Sequence, residues 1–401
     1  MIFDKETAAG REMEKMQNSM HEKRDKIECP KRVVAGIIIS IILTRVIFYG
    51  IYYLQTKDAS FAGFLKGINL WDSGWYRSIV ANGYEESATG TAAWAFFPLY
   101  PLTVRGVCCL TGWSTDTAGV VVSNVCCLIG SVYGWKYCAA SRDSKEEANF
   151  YTILMIWGMC GFYETILYTE AMYIMWLSMC FYYLNRRDYL KMGVCGALCT
   201  ATRNTGVFFV FCILLAVIRD WRADHPRARG WKETVIPFWT EAFGDVRLVL
   251  GTMLVPLGLF SYMLYLYRLL GDPLAFVHIQ KAFMLDTKPG IIEVMKRAFG
   301  LYHTQAWFWL YLVLLLALLG LLLCNPRNDE RVWSVINWLV PLQRGMGCMH
   351  RYMHMAVTAE LTFCDFCMKF SRKLRCVILL VCFVLECVLM QQWIAGNGWL
   401  V

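Results

Sequence analysis

The sequence predicts an all-α polytopic membrane protein, and two observations support this. Of the 401 residues, 57% are hydrophobic and only 17% are charged, which leaves too little polar surface to cover a soluble core. Several apolar runs also reach the roughly 20 residues that an α-helix needs to cross a bilayer. The net charge of +8 is modest and does not indicate nucleic-acid binding. Most of the 18 cysteines lie inside apolar runs, where thiols pack as small hydrophobic groups.

The N-terminal part is predicted to set the orientation of the chain. Residues 1–32 are polar and are expected to form a cytosolic tail, and residues 33–401 to form one membrane-embedded domain. The first apolar run, Val33–Leu54, is too long for a signal-peptide core and is predicted to be a signal anchor. It sends a first loop, residues 55–116, into the lumen.

This first luminal loop contains a predicted short helix, Asp72–Asn82, that lies at the membrane interface. Asp72 suits the N-cap position, and Gly83 follows the last helical residue, as glycine commonly does. At about 100° per residue, one apolar face carries Trp75, Tyr76, Ile79 and Val80. The remaining surface is predicted to carry Ser73, Arg77 and Ser78, and we expect Arg77 to contact lipid phosphate.

The remaining apolar runs predict about eleven membrane-embedded helices in all. Phe96–Trp113 holds two prolines and Arg105, and is expected to be interfacial or re-entrant. Asn149–Asn185 is too long for one crossing and is predicted to form two spans that meet at the lumen. The other predicted helices are Thr117–Ala140, Val246–Leu270, Ala306–Cys324, Trp333–Met346, Tyr352–Met368 and Val377–Trp393. Residues 271–305 form a predicted second luminal loop.

The apolar segment Met192–Ile218 raises a parity problem, because basic connectors flank it at 186–191 and 219–232. If positive charge marks the cytosol, the chain must enter the membrane and return within this segment. Each arm then has only about a dozen residues, which is too short to span alone. We therefore predict two short broken helices with Arg203-Asn204-Thr205-Gly206 at their tip. Charge at that depth is tolerated only beside a wet cavity or within protein.

Six short motifs, in this order across most of the chain, resemble the GPI mannosyltransferase II (PIG-V) family. They are Trp71-Asp72, Asn82-Gly83-Tyr84, Phe96–Pro101, Tyr168-Thr169-Glu170-Ala171, Ala201-Thr202-Arg203-Asn204-Thr205-Gly206, and Gly271–Phe276 with Gln280. The resemblance implies a GT-C type glycosyltransferase fold and dolichyl-phosphate-mannose as the donor. It also implies a GPI precursor glycolipid that already bears one mannose as acceptor, an α-1,6 product, and a site on the luminal side of the endoplasmic reticulum membrane.

The chemistry that the resemblance implies assigns roles to particular residues. The donor carries its sugar in the β configuration, so an α product means one inverting displacement, for which a single carboxylate suffices as general base. Asp72 is the predicted catalytic residue. Arginine suits the lipid phosphate leaving group because its planar fork binds two oxygens. The residues predicted to bind donor phosphate or substrate are Arg203, Asn204, Glu170, Gln280, Lys281, Arg351 and His354. Trp71, Trp75 and Tyr76 are predicted to stack on sugar faces or to hold the loop at the headgroup level.

Several of these residues also have a purely structural interpretation. Asp72 has the position of a helix cap. Arg203 is able to pair with Glu170 or Glu164 as an intramembrane ion pair. Gly271–Phe276 has the composition of a turn that leads into an interfacial helix.

No metal or cofactor is expected from the sequence. His350, His354, Cys364 and Cys367 have zinc-like spacing. However, the predicted topology separates the histidines from the cysteines by about 20 Å along a helix. No Asp-x-Asp pair and no Walker-type glycine loop occurs in the chain.

Other functions remain open at this stage. A GT-C enzyme with the same donor and a different acceptor is the nearest alternative. A transporter or lipid scramblase is suggested by intramembrane charges, which are Arg45, Glu164, Glu170, Arg203, Arg344 and Glu360. No internal symmetry of the transporter kind is evident. A catalytically silent scaffold is a third class. The expected partners are the donor, the GPI precursor and lipids of the endoplasmic reticulum membrane, and a small accessory membrane subunit is left open.

Overall fold

The computed structural model describes residues 27–397 apart from 89, 227, 284–289 and 343–348. Within these residues the regular structure is helical throughout, with no β-strand. The predicted class, an all-α polytopic membrane protein with apolar helices, is confirmed. Most of the predicted N-terminal tail, and Arg344, lie outside the described residues.

The first half of the chain forms helices of very different lengths. They are α1 (Lys31–Thr56), α2 (Phe61–Ile68), α3 (Ser73–Asn82), α4 (Leu99–Thr111), α5 (Thr115–Arg142), α6 (Lys145–Trp157), α7 (Glu170–Asn185), α8 (Tyr189–Thr202) and α9 (Phe209–Asp224). Short 3-10 helices lie at Ala93–Ala95, Gly161–Glu164 and Asn204–Phe208.

The second half continues in the same manner. Its helices are α10 (Trp231–Gly244), α11 (Val246–Leu254), α12 (Leu257–Leu270), α13 (Ala275–His278), α14 (Ile291–Tyr302), α15 (Ala306–Leu323), α16 (Asn328–Leu342), α17 (Met349–Met355), α18 (Thr358–Cys367) and α19 (Arg372–Ile394). A further 3-10 helix covers Ile279–Phe283.

Among the described residues, three helices are long and apolar enough to cross a membrane alone. These are α1, α5 and α19. Helices α11 and α12 are together also long and apolar enough, but they are bent by 40° at their junction. The predicted span Val246–Leu270 is therefore broken into two helices, because Pro256 lacks the N–H that would continue the helix. If about eleven helices are embedded, as the sequence predicts, most of them are therefore short or broken.

Three helix breaks matter for the site. Asn149–Asn185 is divided as predicted, into α6 and α7 with irregular chain between them. Met192–Ile218 is also broken as predicted, because α8 ends before Arg203 and a 3-10 helix precedes α9. A third break was not predicted. Tyr352–Met368 is divided into α17 and α18 at Val357, whose φ of 33° lies in the left-handed region.

The buried residues that the structure describes form four hydrophobic clusters, and both α5 and α7 contribute to each of the two largest. The two helices approach closely at Gly130, where a Cβ atom would lie only 3.1 Å from the Cα atom of Met175. Tight packing of this kind resists displacement of one helix past another. The N-terminal end of α7, which carries Glu170, is therefore held against a rigid support.

Connectors that were predicted to be cytosolic meet at one end of the protein. Arg142, the last residue of α5, bonds to Glu330 at 2.6 Å and to Asp365 at 2.7 Å. Arg219, at the end of α9, bonds to Asp329 at 2.8 Å. These ion pairs join segments that are far apart in sequence, and the cytosolic location of the connectors stays a prediction.

The two predicted luminal loops contact each other and α12. The hydroxyl of Tyr262, within α12, donates to the carbonyl of Trp94 in the first loop at 2.9 Å. Phe97 of the first loop packs edge-on against Phe276 of the second, with 5.3 Å between the ring centroids. The two loops are therefore neighbours in the structure, and their luminal location stays a prediction.

Candidate active site

Asp72 lies where the sequence predicts, directly before the first residue of α3. Its side chain makes no capping hydrogen bond with the helix. The backbone N–H of Asp72 donates instead to the hydroxyl of Tyr168, at 3.0 Å. The carboxylate faces α17, where Oδ2 accepts a hydrogen bond from Nη1 of Arg351 at 3.2 Å. The role of a simple helix cap is thus wrong for this side chain.

Asp72 is the first member of a row of four alternating charges, which we call the charged row. Arg351 bonds through Nε to Oε1 of Glu170. The same oxygen of Glu170 accepts from Nη1 of Arg203 at 3.1 Å, and this nitrogen also lies 3.0 Å from Oγ1 of Thr169. Two carboxylates and two guanidinium groups therefore neutralise each other, which lowers the cost of burying them.

Each member of the charged row sits at or near a helix end. Glu170 is the first residue of α7, where the partial positive charge of the helix N-terminus favours a carboxylate. Arg203 directly follows α8, where the negative C-terminal end favours a cation. Its extended backbone, with φ −154° and ψ 138°, breaks the helix and turns the side chain toward Glu170.

Aromatic rings cover the two guanidinium groups. Arg351 lies over the ring of Tyr168 at 4.6 Å and over that of Tyr163 at 5.6 Å. Arg203 lies over the ring of Tyr352 at 5.6 Å. A cation over an aromatic face is stabilised where water is excluded, so these tyrosines favour the charged state of both arginines.

The two ends of the charged row are partly exposed to solvent, whereas its centre is buried. The side chains of Asp72 and Arg203 are 26% and 18% exposed, while those of Arg351 and Glu170 are 5% and 0% exposed. Among the described residues, Oδ1 of Asp72 and Nη2 of Arg203 have no hydrogen-bond partner. A carboxylate oxygen that can take a proton is thus linked to a guanidinium that can bind an anion.

The predicted loop aromatics take three different positions beside this row. Trp75 is half-buried, stacks on Phe96 at 5.7 Å between centroids, and meets the edge of Phe283 at 5.5 Å. Trp71 is 45% exposed. Tyr76 is buried, with 3% exposure, so its ring is part of the core and does not present a face to a sugar. Of the three, only Trp71 and Trp75 remain candidates for contact with substrate.

Three of the predicted binding residues are not in the charged row. Asn204 is exposed at the start of its 3-10 helix. Gln280 is half-buried and Lys281 exposed on the 3-10 helix that ends at Phe283, which contacts Trp75. Within the part of the chain that the structure describes, no hydrogen bond or ion pair links the side chains of these three residues to the charged row. Asn204 directly follows Arg203 in the chain, whereas Gln280 and Lys281 lie on a separate element.

His354 also lies apart from the charged row, although it shares α17 with Arg351. Its two ring nitrogens contact other carboxylates: Nε2 lies 3.1 Å from Oε1 of Glu164, and Nδ1 lies 2.5 Å from Oε1 of Glu360. If His354 shared a substrate site with Asp72, we would expect it to bond to Asp72, Glu170 or Arg203. No such bond is present among the described residues.

Two expectations for α3 are wrong. Ser73 is buried and its hydroxyl donates to the carbonyl of Leu167 at 3.3 Å, so it does not face away from the core. Arg77 bonds to Asp116 at 2.7 Å and to the carbonyl of Asn69 at 2.8 Å. An ion pair within the protein thus occupies the guanidinium that was expected to meet lipid phosphate.

The motif Gly271–Phe276 forms a turn, in agreement with the purely structural interpretation of its composition. Gly271 ends α12 with φ 74°, a conformation that glycine adopts at low cost. Asp272 accepts a hydrogen bond from the backbone N–H of Leu274 at 2.9 Å. A second bond, from His278 at 2.7 Å, lowers the pKa of the Asp272 carboxyl below its usual range.

The sequence-based site omitted four residues that the structure places at the charged row. Tyr168 contacts both Asp72 and Arg351, and Thr169 contacts Arg203. Both belong to the motif that contains Glu170, which was the available signal. Tyr163 precedes that motif and carried no signal of its own, and Tyr352 was marked only by its place next to Arg351.

Fold and site together define an all-α membrane protein with a neutral row of four charges, buried at its centre, between broken helices. No family model matches the chain, and no curated protein matches it. Two solved structures of ArnT from Cupriavidus metallidurans are similar at 12% identity, one bound to undecaprenyl phosphate and one in the apo state. Each comparison covers 90% of this chain and 78% of ArnT, with TM-scores of 0.37 and 0.36. These values are too low to assign the chain to a family.

Proposed function

We propose that this protein is a GT-C type glycosyltransferase that uses a sugar carried on a polyprenyl phosphate. The observation that supports this is the partly exposed carboxylate of Asp72. It is linked through Arg351 and Glu170 to the partly exposed guanidinium of Arg203. Glycosyl transfer from a lipid phosphate needs a base at the acceptor and a cation at the leaving phosphate. The two ends of the charged row have these properties.

In the proposed step, a hydroxyl oxygen of the acceptor attacks the anomeric carbon of the donor sugar. The bond between that carbon and the phosphate oxygen breaks, and the lipid phosphate leaves with the electron pair. Asp72 takes the hydroxyl proton on Oδ1, while Arg351 holds Oδ2 and so orients the carboxylate. Arg203 stabilises the negative charge that develops on the phosphate.

The finer proposal follows the six motifs. The donor is dolichyl-phosphate-mannose, and the acceptor is a glucosaminyl-phosphatidylinositol that bears one mannose. The product linkage is α-1,6, formed with inversion and without a metal ion. The site faces the lumen of the endoplasmic reticulum. The support for these specific substrates is the resemblance of the motifs, three of which supply Asp72, Glu170 and Arg203 to the charged row.

The test is a transfer assay with purified full-length protein, labelled dolichyl-phosphate-mannose and a synthetic one-mannose GPI precursor. A two-mannose product with an α-1,6 bond, absent for Asp72→Asn, supports the proposal in full. Transfer only to a dolichol-linked oligosaccharide identifies a different acceptor and overturns the finer proposal. If no lipid-linked sugar is consumed while the protein in liposomes moves solute or lipid, a transporter is the correct class.

A further inference from the structure

His354 is held by two carboxylates from different elements. Glu164 ends the 3-10 helix before α7, and Glu360 lies in the first turn of α18. The exposed fraction of the His354 side chain is 2%, and those of Glu164 and Glu360 are 2% and 15%. Since both ring nitrogens face carboxylate oxygens, at 3.1 and 2.5 Å, the imidazole ties these elements together.

The helix that carries His354 is held by its surroundings, because α17 has only seven residues and an isolated helix of that length does not form in water. Its buried methionines, Met349, Met353 and Met355, pack into the hydrophobic clusters but do not fix the polar groups at the site. The polar attachment is made by Arg351, which reaches Asp72 and Glu170, and by His354, which reaches Glu164. Residues three apart on a helix share a face, so Arg351 and His354 point toward the same side.

The bond to Glu360 spans the break between α17 and α18. Val357, within this break, has φ 33°, which is rare for a β-branched residue and strained. Its carbonyl accepts a hydrogen bond from Tyr151 at 3.2 Å. The pair of His354 and Glu360 joins the two helices across this break, so it limits their relative direction.

The bond to Glu164 reaches the segment that shapes the site. Six positions after Glu164 comes Glu170, and between them Tyr168 contacts both Asp72 and Arg351. The imidazole therefore fixes α17 relative to the residues that Arg351 must meet. Burial of these charges is costly unless they are paired, and apolar packing would hold a short helix with less cost.

We propose that His354 is a positioning residue that acts through Arg351. It does not touch substrate; it fixes α17 so that the Arg351 guanidinium stays within reach of Asp72 and Glu170. The catalytic consequence rests on the proposed glycosyl transfer, whereas the structural part does not. Loss of the pairs that His354 makes with Glu164 and Glu360 should leave substrates bound but the Asp72 carboxylate poorly oriented.

The structural part is tested by hydrogen exchange on the full-length protein in detergent. In His354→Gln we expect about tenfold faster exchange in a peptide that covers 349–357, with unchanged exchange in α5. The matched control is His303→Gln, because His303 is exposed and bonds to the carbonyl of Phe299, in its own helix. Unchanged exchange at 349–357, or faster exchange throughout the protein, overturns the proposal.

The catalytic part is tested by kinetics with the lipid-linked donor. His354→Gln should lower kcat about tenfold with KM for donor unchanged, and Glu360→Gln should lower it less. In the Arg351→Lys background, His354→Gln should cause no further loss, because both changes remove the same alignment. Additive losses in the double variant overturn the role through Arg351. If the wild type transfers no sugar at all, the proposed function fails, and the exchange data still decide the positioning of α17.

Discussion

Arg351 and Asp72 are 279 positions apart in the chain and form an ion pair with 3.2 Å between Nη1 and Oδ2. The same guanidinium bonds through Nε to Glu170. One arginine near the C-terminal end thus orients a carboxylate in the first predicted luminal loop. The proposed general base depends on a helix that no local feature of the loop reveals.

Replacement of Asp72 by Asn should abolish transfer while the fold is kept. Asparagine still accepts a hydrogen bond from Arg351 but takes no proton, so kcat should fall about 10²- to 10⁴-fold. The measurement is the transfer rate of purified protein, together with its thermal midpoint. Asp143→Asn is the matched control, because Asp143 is exposed and has φ 51°, which asparagine tolerates. Full activity of Asp72→Asn removes this residue from the mechanism.

Replacement of Arg203 by Lys should weaken the use of donor. Lysine keeps the charge but has a single nitrogen, so it cannot bond to Glu170 and Thr169 and also bind a phosphate with a fork. We expect kcat/KM for donor to fall about 10- to 100-fold, since a hydrogen bond to a charged group contributes about 1.5–3 kcal/mol. Arg77→Lys, which alters the separate pair with Asp116, is the control. An unchanged kcat/KM contradicts a bidentate role.

Replacement of Glu170 by Gln should destabilise the protein as well as inactivate it. The change leaves Arg351 and Arg203 without their shared carboxylate in a buried site. Loss of one partner from a buried ion pair costs about 3–5 kcal/mol, which should appear as a lower thermal midpoint in detergent. Glu146→Gln is the matched control, because Glu146 is 67% exposed and its pair with Arg375 contributes only about 0–1 kcal/mol. Equal effects of the two changes would argue against a buried charged row.

Replacement of Gly251 by Ala should disturb the support of Arg203. A Cβ atom at Gly251 would lie 2.1 Å from the carbonyl oxygen of Tyr189, the first residue of α8, so α11 and α8 must separate. Overpacking of this kind costs about 1–3 kcal/mol, measured as a lower thermal midpoint. Gly50→Ala in α1 meets no atom within 4 Å and should be neutral or stabilising. A neutral Gly251→Ala would show that the two helices do not need their close approach.

Much of the architecture was predictable from composition and from the spacing of apolar residues. The helix at 73–82, the division of 149–185 and the break at Arg203 all follow from local features. These features are Gly83 after the last turn, charges inside an apolar run, and arms too short to span. The break at Val357 was missed because no proline or glycine marks it, and only surrounding contacts hold its strained backbone.

For the candidate site, the sequence by itself determined which charged residues interrupt or flank the apolar runs, and Glu170 and Arg203 are conspicuous for that reason in any order of the helices. The roles predicted for Asp72 and Arg203 came from the resemblance of the motifs that contain them. Only the tertiary structure decided that Arg351 joins Asp72 to Glu170 while His354, on the same helix, pairs elsewhere. The physical reason is that an ion pair depends on distance in space, and segments far apart in sequence come together only through packing of the whole chain.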